Sequence, residues 1–188
     1  MESFKSQMRG RTWRREQYFI STDPALVPIS KLINIFDSDD FYWANAMPAQ
    51  AMQEMLDNSL CFGLYQLDSP DASVDGSLAL DDRQLIGFAR CVTDFTTFVY
   101  VTDVWVDPSL QGAGLGSWLV KCVQEIIEVM PHLRRSMLFT GSWDRSVPFY
   151  EKLMGMTVLK SQKGEGLAVM ERKGRGHPSY GSEGSSYH

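Results

Sequence analysis

Residues 98–130 read FVYVTDVWVDPSLQGAGLGSWLVKCVQEIIEVM, and this stretch carries the strongest local signals in the chain. A run rich in β-branched and aromatic residues ends at Pro108, which has no N–H to continue a sheet ladder. Glycines follow, and apolar residues then recur at helical spacing from Leu115 to Met130. The pattern predicts a strand, a glycine loop and a helix, which together direct free N–H groups and the positive helix end at one point. Such a turn suits an anionic ligand, and a glycine turn without a ligand is the alternative.

The glycine loop does not match the two common nucleotide-binding loops. A P-loop requires Gly-Lys-Ser/Thr, whereas Gly116 is followed here by Ser117 and Trp118. The dinucleotide fingerprint requires its third glycine at the position of Ser117. The loop instead resembles the acetyl-CoA pyrophosphate loop of the GNAT acetyltransferase superfamily, Gln/Arg-x-x-Gly-x-Gly/Ala, with Gln111, Gly114 and Gly116 at the motif positions.

The elements predicted on both sides of the loop follow the order of the same superfamily. Strands are expected at residues 18–21, 60–67, 84–93, 98–106, 136–139, 156–160 and 167–171. Helices are expected at 23–36, from 48 onward, at 115–130 and at 146–154. This order, β-αα-βββ-α-β-α-ββ, resembles that of GNAT proteins and implies an α+β (mixed α/β) GNAT acyltransferase fold. Its centre would be a mixed, mostly antiparallel sheet flanked by helices.

Length and composition predict one domain with two tails. A chain of 188 residues with 44% hydrophobic and 22% charged residues is typical of one globular domain. Residues 1–16 are basic without a following apolar run, so we expect a flexible arm, with an RNA- or protein-binding arm as an alternative. Residues 17–173 would form the acetyltransferase domain. Residues 174–188, rich in Gly, Ser, Tyr and His, are expected to be disordered.

Charge and cysteine usage narrow the expected partners and compartment. The formal net charge of −5 argues against DNA binding, and no segment reaches the ~18 apolar residues of a membrane span. The three cysteines are odd in number and widely spaced among apolar residues. This pattern favours reduced, buried thiols in a cytoplasmic protein, without a metal site. The expected assembly is a monomer or a homodimer.

The resemblance implies that acetyl-CoA is the co-substrate. Its pyrophosphate would bind the loop and the first helical turn. In the superfamily the preceding strand also splays from its neighbour at a bulge, where its exposed backbone pairs with the pantetheine arm and polarises the thioester carbonyl. The residues expected to bind acetyl-CoA are Val104, Trp105, Val106, Gln111, Gly112, Ala113, Gly114, Leu115, Gly116 and Ser117.

Two residues are candidates for proton transfer. The segment Phe149–Leu153 resembles the superfamily's Phe-Tyr-x-Lys-Leu and implies that Tyr150 protonates the leaving thiolate; a merely packed ring is the alternative. Asp103 is the candidate base, because strand alternation places it on a face with Val101 and Trp105. A carboxylate among apolar neighbours should have a raised pKa. A structural role for Asp103, or proton transfer through water, remains the alternative.

Residues 37–43 are the candidate acceptor site. This segment combines carboxylates with aromatic rings, a chemistry that suits a small cationic amine. The candidates are Asp39, Asp40, Phe41 and Trp43. The alternative is a solvated acidic turn whose aromatic rings enter the core.

The expected activity is an acetyl-CoA-dependent N-acetyltransferase that transfers acetyl directly to a primary amine in a ternary complex. Trp143 stands where the superfamily often has an asparagine that contacts the cofactor, and Thr140, Ser142 and Asp144 are the candidates to replace it. This departure keeps open a non-catalytic or sensing module that binds acyl-CoA. The basic arm keeps open a macromolecular acceptor.

Overall fold

The computed structural model describes residues 3–67, 83–159, 161–162, 165–166 and 170. Its helices are α1 (Phe4–Met8), α2 (Ile29–Phe36), α3 (Ala49–Asp57), α4 (Leu115–Glu128) and α5 (Ser146–Met154). Its strands are β1 (Thr12–Arg15), β2 (Tyr18–Ser21), β3 (Leu60–Leu67), β4 (Arg83–Thr93), β5 (Phe98–Val106), β6 (Arg135–Met137), β7 (Ser161–Gln162) and β8 (Glu165–Gly166). From β2 onward this is the predicted order of elements.

Strands β1 to β6 form one mixed sheet in which each strand lies beside its neighbour in sequence. The pairs from β1 to β5 are all antiparallel. Tight turns join β1 to β2 and β4 to β5, whereas α2 and α3 lie between β2 and β3. Strand β6 is parallel to β5, since the chain crosses over through α4 before returning. The predicted mixed, mostly antiparallel sheet is confirmed.

Each face of the sheet is covered by helices and has its own apolar core. Helix α4 buries Leu119, Val123 and Ile126 against one face, where α5 also packs. Helices α2 and α3 bury Leu32 and Met52 against the other face. Burying one such side chain contributes roughly 1.5–3 kcal/mol, so both faces hold the sheet in place.

The N-terminal segment differs from the expected flexible arm, because it forms α1 and β1. In β1, the Trp13 Nε1–H donates to Glu125 Oε2 on α4 at 2.7 Å. After α1, Arg9 donates to the backbone oxygens of Asp57 and, at 2.9 Å, of Ser59. The sequence of β1 shows no clear alternation, since Trp13 is its only large apolar residue, and pairing with β2 supplies the order.

Two further boundaries differ from the prediction. Asp23 caps a single 3-10 turn at Pro24–Leu26, and α2 begins only after Pro28, whose ring and missing N–H interrupt the first helix. The terminal hairpin pairs Ser161–Gln162 with Glu165–Gly166, because only two residues separate these strands in the sequence. Residues 156–159 are not in a strand. Residues 160, 167–169 and 171 and the tail predicted at 174–188 lie outside the described residues, and Met170 is not in a strand.

Candidate active site

Strand β5 contains a β-bulge at Asp103. Phe88 of β4 lies opposite Trp105, whereas Arg90, two residues on, lies opposite Thr102. Strand β5 therefore has one more residue than β4 in this interval, and Asp103 itself has a φ of +53°. A non-glycine residue in this conformation inside a strand is uncommon, and the bulge accounts for it.

The bulge changes the face on which the side chains of β5 lie. Val101, before the bulge, belongs to the core beneath α4. Trp105, after it, packs with the core beneath α2 and α3, which is also the side of Asp103. The prediction that Asp103 shares a face with Trp105 is therefore confirmed, and its shared face with Val101 is wrong. The extra residue breaks the two-residue period on which that prediction depended.

The outer edge of β5 is open beyond its first three residues. Strand β6 pairs only with Phe98, Val99 and Tyr100. Within the described part of the chain, residues 101–106 have no strand partner on that side. An unpaired edge presents backbone N–H and C=O groups to a ligand. This edge includes Val104 to Val106, the stretch expected to bind the pantetheine arm.

A capped turn links β5 to the glycine loop. The Asp107 carboxylate accepts hydrogen bonds from the hydroxyl of Ser109 at 2.7 Å and from its backbone N–H at 3.0 Å. These bonds, that from the hydroxyl first, lower the pKa of Asp107. The backbone N–H of Gln111 then donates to the Pro108 carbonyl, which closes the turn. The loop therefore leaves the sheet in a fixed direction.

The glycine loop ends in a helix start without a side-chain cap. Gly114 is the N-cap residue of α4 and has a φ of +74°, in the left-handed region that favours glycine. The first helical bond runs from the Trp118 N–H to the Gly114 carbonyl at 3.0 Å. No acceptor within the described residues meets the N–H groups of Leu115, Gly116 and Ser117. These N–H groups and the helix dipole suit an anion.

A cation from β1 lies beside the same loop. One guanidinium nitrogen of Arg15 lies 3.7 Å from the place that a Cβ on Gly114 would take. The sequence prediction missed Arg15, because residues 1–16 were expected to be flexible. The spacing of Trp13 and Arg15 was the available signal, since residues two apart share one face of a strand.

Tyr150 lies on α5 and packs at the edge of the core beneath α4. Its ring meets that of Phe149 edge-on, with the centroids 5.1 Å apart. Burial raises the pKa of Tyr150 to about 12. Its hydroxyl therefore stays protonated at neutral pH, the state that a proton donor needs.

A pocket of about 220 Å³ lies on the opposite face of the sheet, beside Asp103. Arg90 Nε donates to Asp103 Oδ2 at 2.6 Å, and Arg90 Nη1 donates to the Ser59 hydroxyl at 3.2 Å. Asp103 Oδ1 accepts hydrogen bonds from Thr102 Oγ1 at 3.2 Å and from Trp43 Nε1 at 3.4 Å. The pocket is lined by Phe36, Ala44, Asn45, Ala46, Met47, Met55, Arg90 and Asp103.

Comparison with known proteins shows the family to which a chain with this sheet, glycine loop and pocket belongs. Residues 32–156, about two thirds of the chain, match the sequence model of the acetyltransferase (GNAT) family. The chain belongs to the GNAT acetyltransferase family. A Gibberella zeae protein is 34% identical over 173 residues, which cover 89% of this chain and 96% of that protein. Its name describes it as an acetyltransferase and does not specify an acceptor.

Solved structures of GNAT proteins have the same fold. A Xanthomonas campestris pv. campestris protein described as a GNAT-family acetyltransferase has 29% identity and a TM-score of 0.61, covering 89% of this chain and 96% of its own. A protein described as an acetyltransferase, from Deinococcus radiodurans R1, has 22% identity and a TM-score of 0.54, with coverages of 81% and 91%. The second likeness is one of fold alone.

The four residues predicted to bind the acceptor lie in different surroundings in the structure. The Phe41 ring is buried, 4.0 Å from Phe36 and 4.3 Å from Trp43 between centroids, so it belongs to the core. Asp39 and Asp40 are exposed and are not among the residues that line the pocket. Only Trp43 reaches Asp103.

Arg90 was missed by the sequence analysis. It stands inside the apolar run of β4, between Ala89 and Cys91, both of which are buried. An arginine in a strand that is covered on both faces needs an anionic partner, and this was the available signal. Asp103 is that partner, so the expectation of a carboxylate with only apolar neighbours is wrong.

The turn before α5 contains the departure from the GNAT pattern. Trp143 is 66% exposed. The Thr140 hydroxyl accepts the Ser142 N–H at 3.2 Å, and the Ser142 carbonyl accepts the Ser146 N–H at 3.0 Å. Thr140 and Ser142 thus organise the start of α5. Asp144 is exposed beside them.

The described part of the GNAT domain has neither a membrane-spanning helix nor a cluster of metal ligands. None of its helices there is both long and apolar enough to cross a membrane. Among the same residues, no group of three or more His, Cys, Asp or Glu side chains is placed to hold a metal ion.

Proposed function

We propose that this protein is an acetyl-CoA-dependent N-acetyltransferase that transfers acetyl directly to a primary amine in a ternary complex. The open edge of β5 carries the proposal. It leads, through the turn at Asp107, to the unpartnered N–H groups at the start of α4. One continuous stretch, residues 104–117, therefore presents hydrogen-bonding backbone suited to an extended amide-containing arm and to a diphosphate.

The fit to acetyl-CoA is supported at both ends of this stretch. At one end, residues 104–106 offer backbone groups for the pantetheine amides and for the thioester carbonyl. At the other end, Gly114 admits close approach, and Ser117 adds a hydroxyl to the N–H groups. Arg15 adds a positive charge beside them. Acetyl-CoA supplies an activated acetyl group, and the chain supplies position and polarisation.

The proposed transfer balances without an acyl-enzyme. The ammonium group of the acceptor first loses a proton to Asp103, directly or through water. The free amine nitrogen attacks the thioester carbonyl carbon; the C–N bond forms and the C–S bond breaks. The leaving thiolate takes a proton from Tyr150, and the nitrogen releases its second proton to solvent. Tyr150 recovers a proton from solvent, and Asp103 releases to solvent the proton that it took from the ammonium group. The products are therefore amide, CoA thiol and one proton.

Asp103 is suited to this step by its position. It immediately precedes Val104, so its Cα lies about 3.8 Å from that of the first residue of the proposed thioester site. Its carboxylate lines the pocket on the other face of the sheet. An amine in the pocket would therefore meet the carboxylate and the thioester together, as direct transfer requires. The Trp43 Nε1–H donates to Asp103 Oδ1 and helps to orient the carboxylate.

We also propose a compartment, a domain boundary and an oligomeric state for the protein. We place it in the cytoplasm, on the support of three free, buried cysteines. We assign β1 together with residues 17–173 to the catalytic domain, because β1 belongs to the central sheet, and we expect a monomer or a homodimer. Light scattering of the purified chain measures the mass and separates the two assemblies.

The test combines binding with turnover. Calorimetry measures CoA binding, and release of free thiol from acetyl-CoA is followed with a panel of primary amines. We expect binding, together with amine-dependent thiol release. Binding without release for any amine would identify the alternative, a sensing module, whereas absence of binding would contradict the proposal as a whole.

A further inference from the structure

The pocket beside Asp103 contains a cation as well as an anion. Arg90 and Asp103 form an ion pair of 2.6 Å, with side-chain exposures of 18% and 4%. Their charges largely cancel, so the pocket exerts little net attraction on an acceptor that carries only positive charge. A ligand with both charges is complementary to both members of the pair.

Arg90 retains donors for such a ligand. A guanidinium has five N–H groups, and Arg90 uses one on Asp103 and one on Ser59. The remaining three, one on Nη1 and two on Nη2, meet no acceptor within the described part of the chain. Arg90 lines the pocket and remains partly exposed there. A planar fork of charged donors is the group that best binds a carboxylate.

Asp103 retains capacity for the other charge. A carboxylate offers about four acceptor positions, and the hydrogen bonds from Arg90, Thr102 and Trp43 use three. The bond from Trp43 is long, at 3.4 Å, and is easily replaced by a charged donor. An ammonium group on Asp103 would also lie beside Val104, at the proposed thioester site.

The remaining wall of the pocket is apolar. Phe36, Ala44 and Ala46 contribute rigid surface, and the thioethers of Met47 and Met55 adapt to different shapes. The volume of about 220 Å³ is below the range of pockets for drug-sized ligands. It therefore suits a short apolar side chain rather than an oligomer or a large ring system.

We propose that the acceptor is a small α-amino carboxylate with an apolar side chain. Arg90 binds its carboxylate, Asp103 receives its ammonium group, and the apolar wall holds its side chain. This inference rests on the proposed acetyl transfer and names the substrate class of the same site. The product is an N-acetyl amino acid, formed by the balanced steps given above.

The test uses matched sets of three amines with acetyl-CoA and thiol detection. L-leucine is compared with leucinamide, which lacks the carboxylate charge, and with 3-methylbutylamine, which lacks the carboxyl group. L-methionine and L-phenylalanine are compared with their amides and decarboxylated amines in the same way. We expect kcat/KM to be at least tenfold higher for the amino acid in one or more sets.

A substitution then tests the assigned contact. Arg90→Gln would leave Asp103 buried without its cation and risks misfolding, so Arg90→Lys is used, which keeps the charge and removes the fork. We expect KM for the preferred amino acid to rise about tenfold with kcat little changed. KM for the decarboxylated amine should remain the same. Arg134→Lys, at an exposed arginine before β6, is the matched control and should change neither value.

The results separate the two proposals. Turnover of 3-methylbutylamine, or of the other decarboxylated amines, as efficient as that of the amino acids would overturn the acceptor class while leaving the acetyltransferase intact. CoA binding without thiol release for any set also overturns the acceptor class. Failure to bind CoA contradicts the proposed function itself.

Discussion

At the scale of single residues, Gly114 and Gly116 have different tasks although the loop motif includes both. Gly114 has a φ of +74° and opens α4, whereas Gly116 lies in its first turn with its Cβ position 3.8 Å from Val106 Cγ2. One position needs glycine for its backbone angle, and the other has room for a methyl group. The two substitutions to alanine should therefore have opposite effects.

We expect Gly114→Ala to lower the free energy of unfolding by about 1–2 kcal/mol, because a side chain strains the left-handed conformation. It should also weaken CoA binding, since relief of the strain redirects the N–H groups. Gly116→Ala, the matched control, should raise stability by about 0.5–1 kcal/mol and bind CoA almost as wild type does. Urea unfolding and calorimetry measure both effects. Equal effects of the two substitutions would contradict the assignment.

Tyr150 is the residue proposed to protonate the leaving thiolate. We expect Tyr150→Phe to lower kcat about 10²-fold with little change in CoA affinity, because the ring stays and only the donor is lost. Tyr18→Phe, at a half-buried tyrosine of β2, is the control. Unchanged turnover in Tyr150→Phe would remove it as the acid.

The pH dependence gives a second test of the same role. Burial raises the pKa of Tyr150 to about 12, so the phenol keeps its proton as the pH rises through 10. We therefore expect kcat to change with pH in the same way in the wild-type protein and in Tyr150→Phe between pH 8 and pH 10. A fall in that interval confined to the wild type would mean that the donor ionises at its ordinary pKa.

At the scale of elements, β3 folds one side chain back over its own backbone. The Tyr65 ring is buried, stacks 4.7 Å from Phe19, and occupies the space where a Cβ on Gly63 would lie, 2.2 Å from the hydroxyl. That hydroxyl meets no hydrogen-bonding partner within the described residues. Its burial raises the pKa of Tyr65.

We expect Tyr65→Phe to leave the free energy of unfolding unchanged or to raise it by about 1 kcal/mol, because it removes a buried polar atom without a partner. Gly63→Ala should instead destabilise the protein by about 1–3 kcal/mol through overpacking. Chemical denaturation compares the two. Marked destabilisation by Tyr65→Phe would show that the hydroxyl has a bound water or another partner.

Strand β1 connects the N-terminal segment to the proposed cofactor loop. Arg15 places its guanidinium beside Gly114. We expect Arg15→Gln to raise the Kd for CoA about three- to tenfold and to weaken its dependence on salt, because one phosphate contact is lost. Calorimetry at two salt concentrations measures both.

Arg14→Gln is the control for Arg15, since neighbouring residues of a strand point to opposite faces. It should leave the affinity for CoA near the wild-type value. Dephospho-CoA and phosphopantetheine show which phosphate Arg15 contacts: the effect of Arg15→Gln disappears with the ligand that lacks it. An unchanged Kd for CoA in Arg15→Gln would make Arg15 an ordinary surface charge.

At the scale of the whole molecule, the sheet separates two half-sites. The glycine loop lies at the start of α4, which covers one face, and the charged pocket lies on the face covered by α2 and α3. The two meet at the bulge of β5, where Asp103 precedes Val104. In the proposed ternary complex, each substrate therefore has its own face, and the reaction takes place at the strand between them.

The cysteines report on the integrity of both faces. Cys61 and Cys122 have pKa values raised to about 12, with burial as the largest cause, and burial also raises the pKa of Cys91. Because the thiolate is the reactive form, we expect labelling by a thiol reagent to be slow at neutral pH and to follow global unfolding. All three should react at once in denaturant.

Fast labelling of one cysteine by the thiol reagent in the native protein would reveal local opening at that site.

A stable acetyl group transferred from acetyl-CoA to the protein would contradict direct transfer, because it would show an acyl-enzyme. Mass spectrometry of the intact protein after incubation with acetyl-CoA distinguishes these results from the expected unmodified chain.

The elements could be read from the sequence where periodicity and turn residues agreed. The meander of β3 to β5, the glycine loop and α5 were predicted to within a residue at each end. Strand β1 could not be read in this way, because its order comes from pairing with β2 and from the bond between Trp13 and Glu125. The strands of the terminal hairpin lie at other residues than predicted, since two-residue strands have no distinct periodicity.

Residues 111–117 indicated the family and predicted the proposed cofactor half of the site, because a left-handed backbone angle and a helix start require particular residues within one short segment. The residues assigned to the proposed acceptor half could be found as a group only in the folded chain. The pairing of Arg90 with Asp103, and the side of the sheet on which they meet, depends on the bulge, which reverses the alternation of β5. A one-residue change in register is invisible to a periodic pattern, yet it moves every following side chain to the other face.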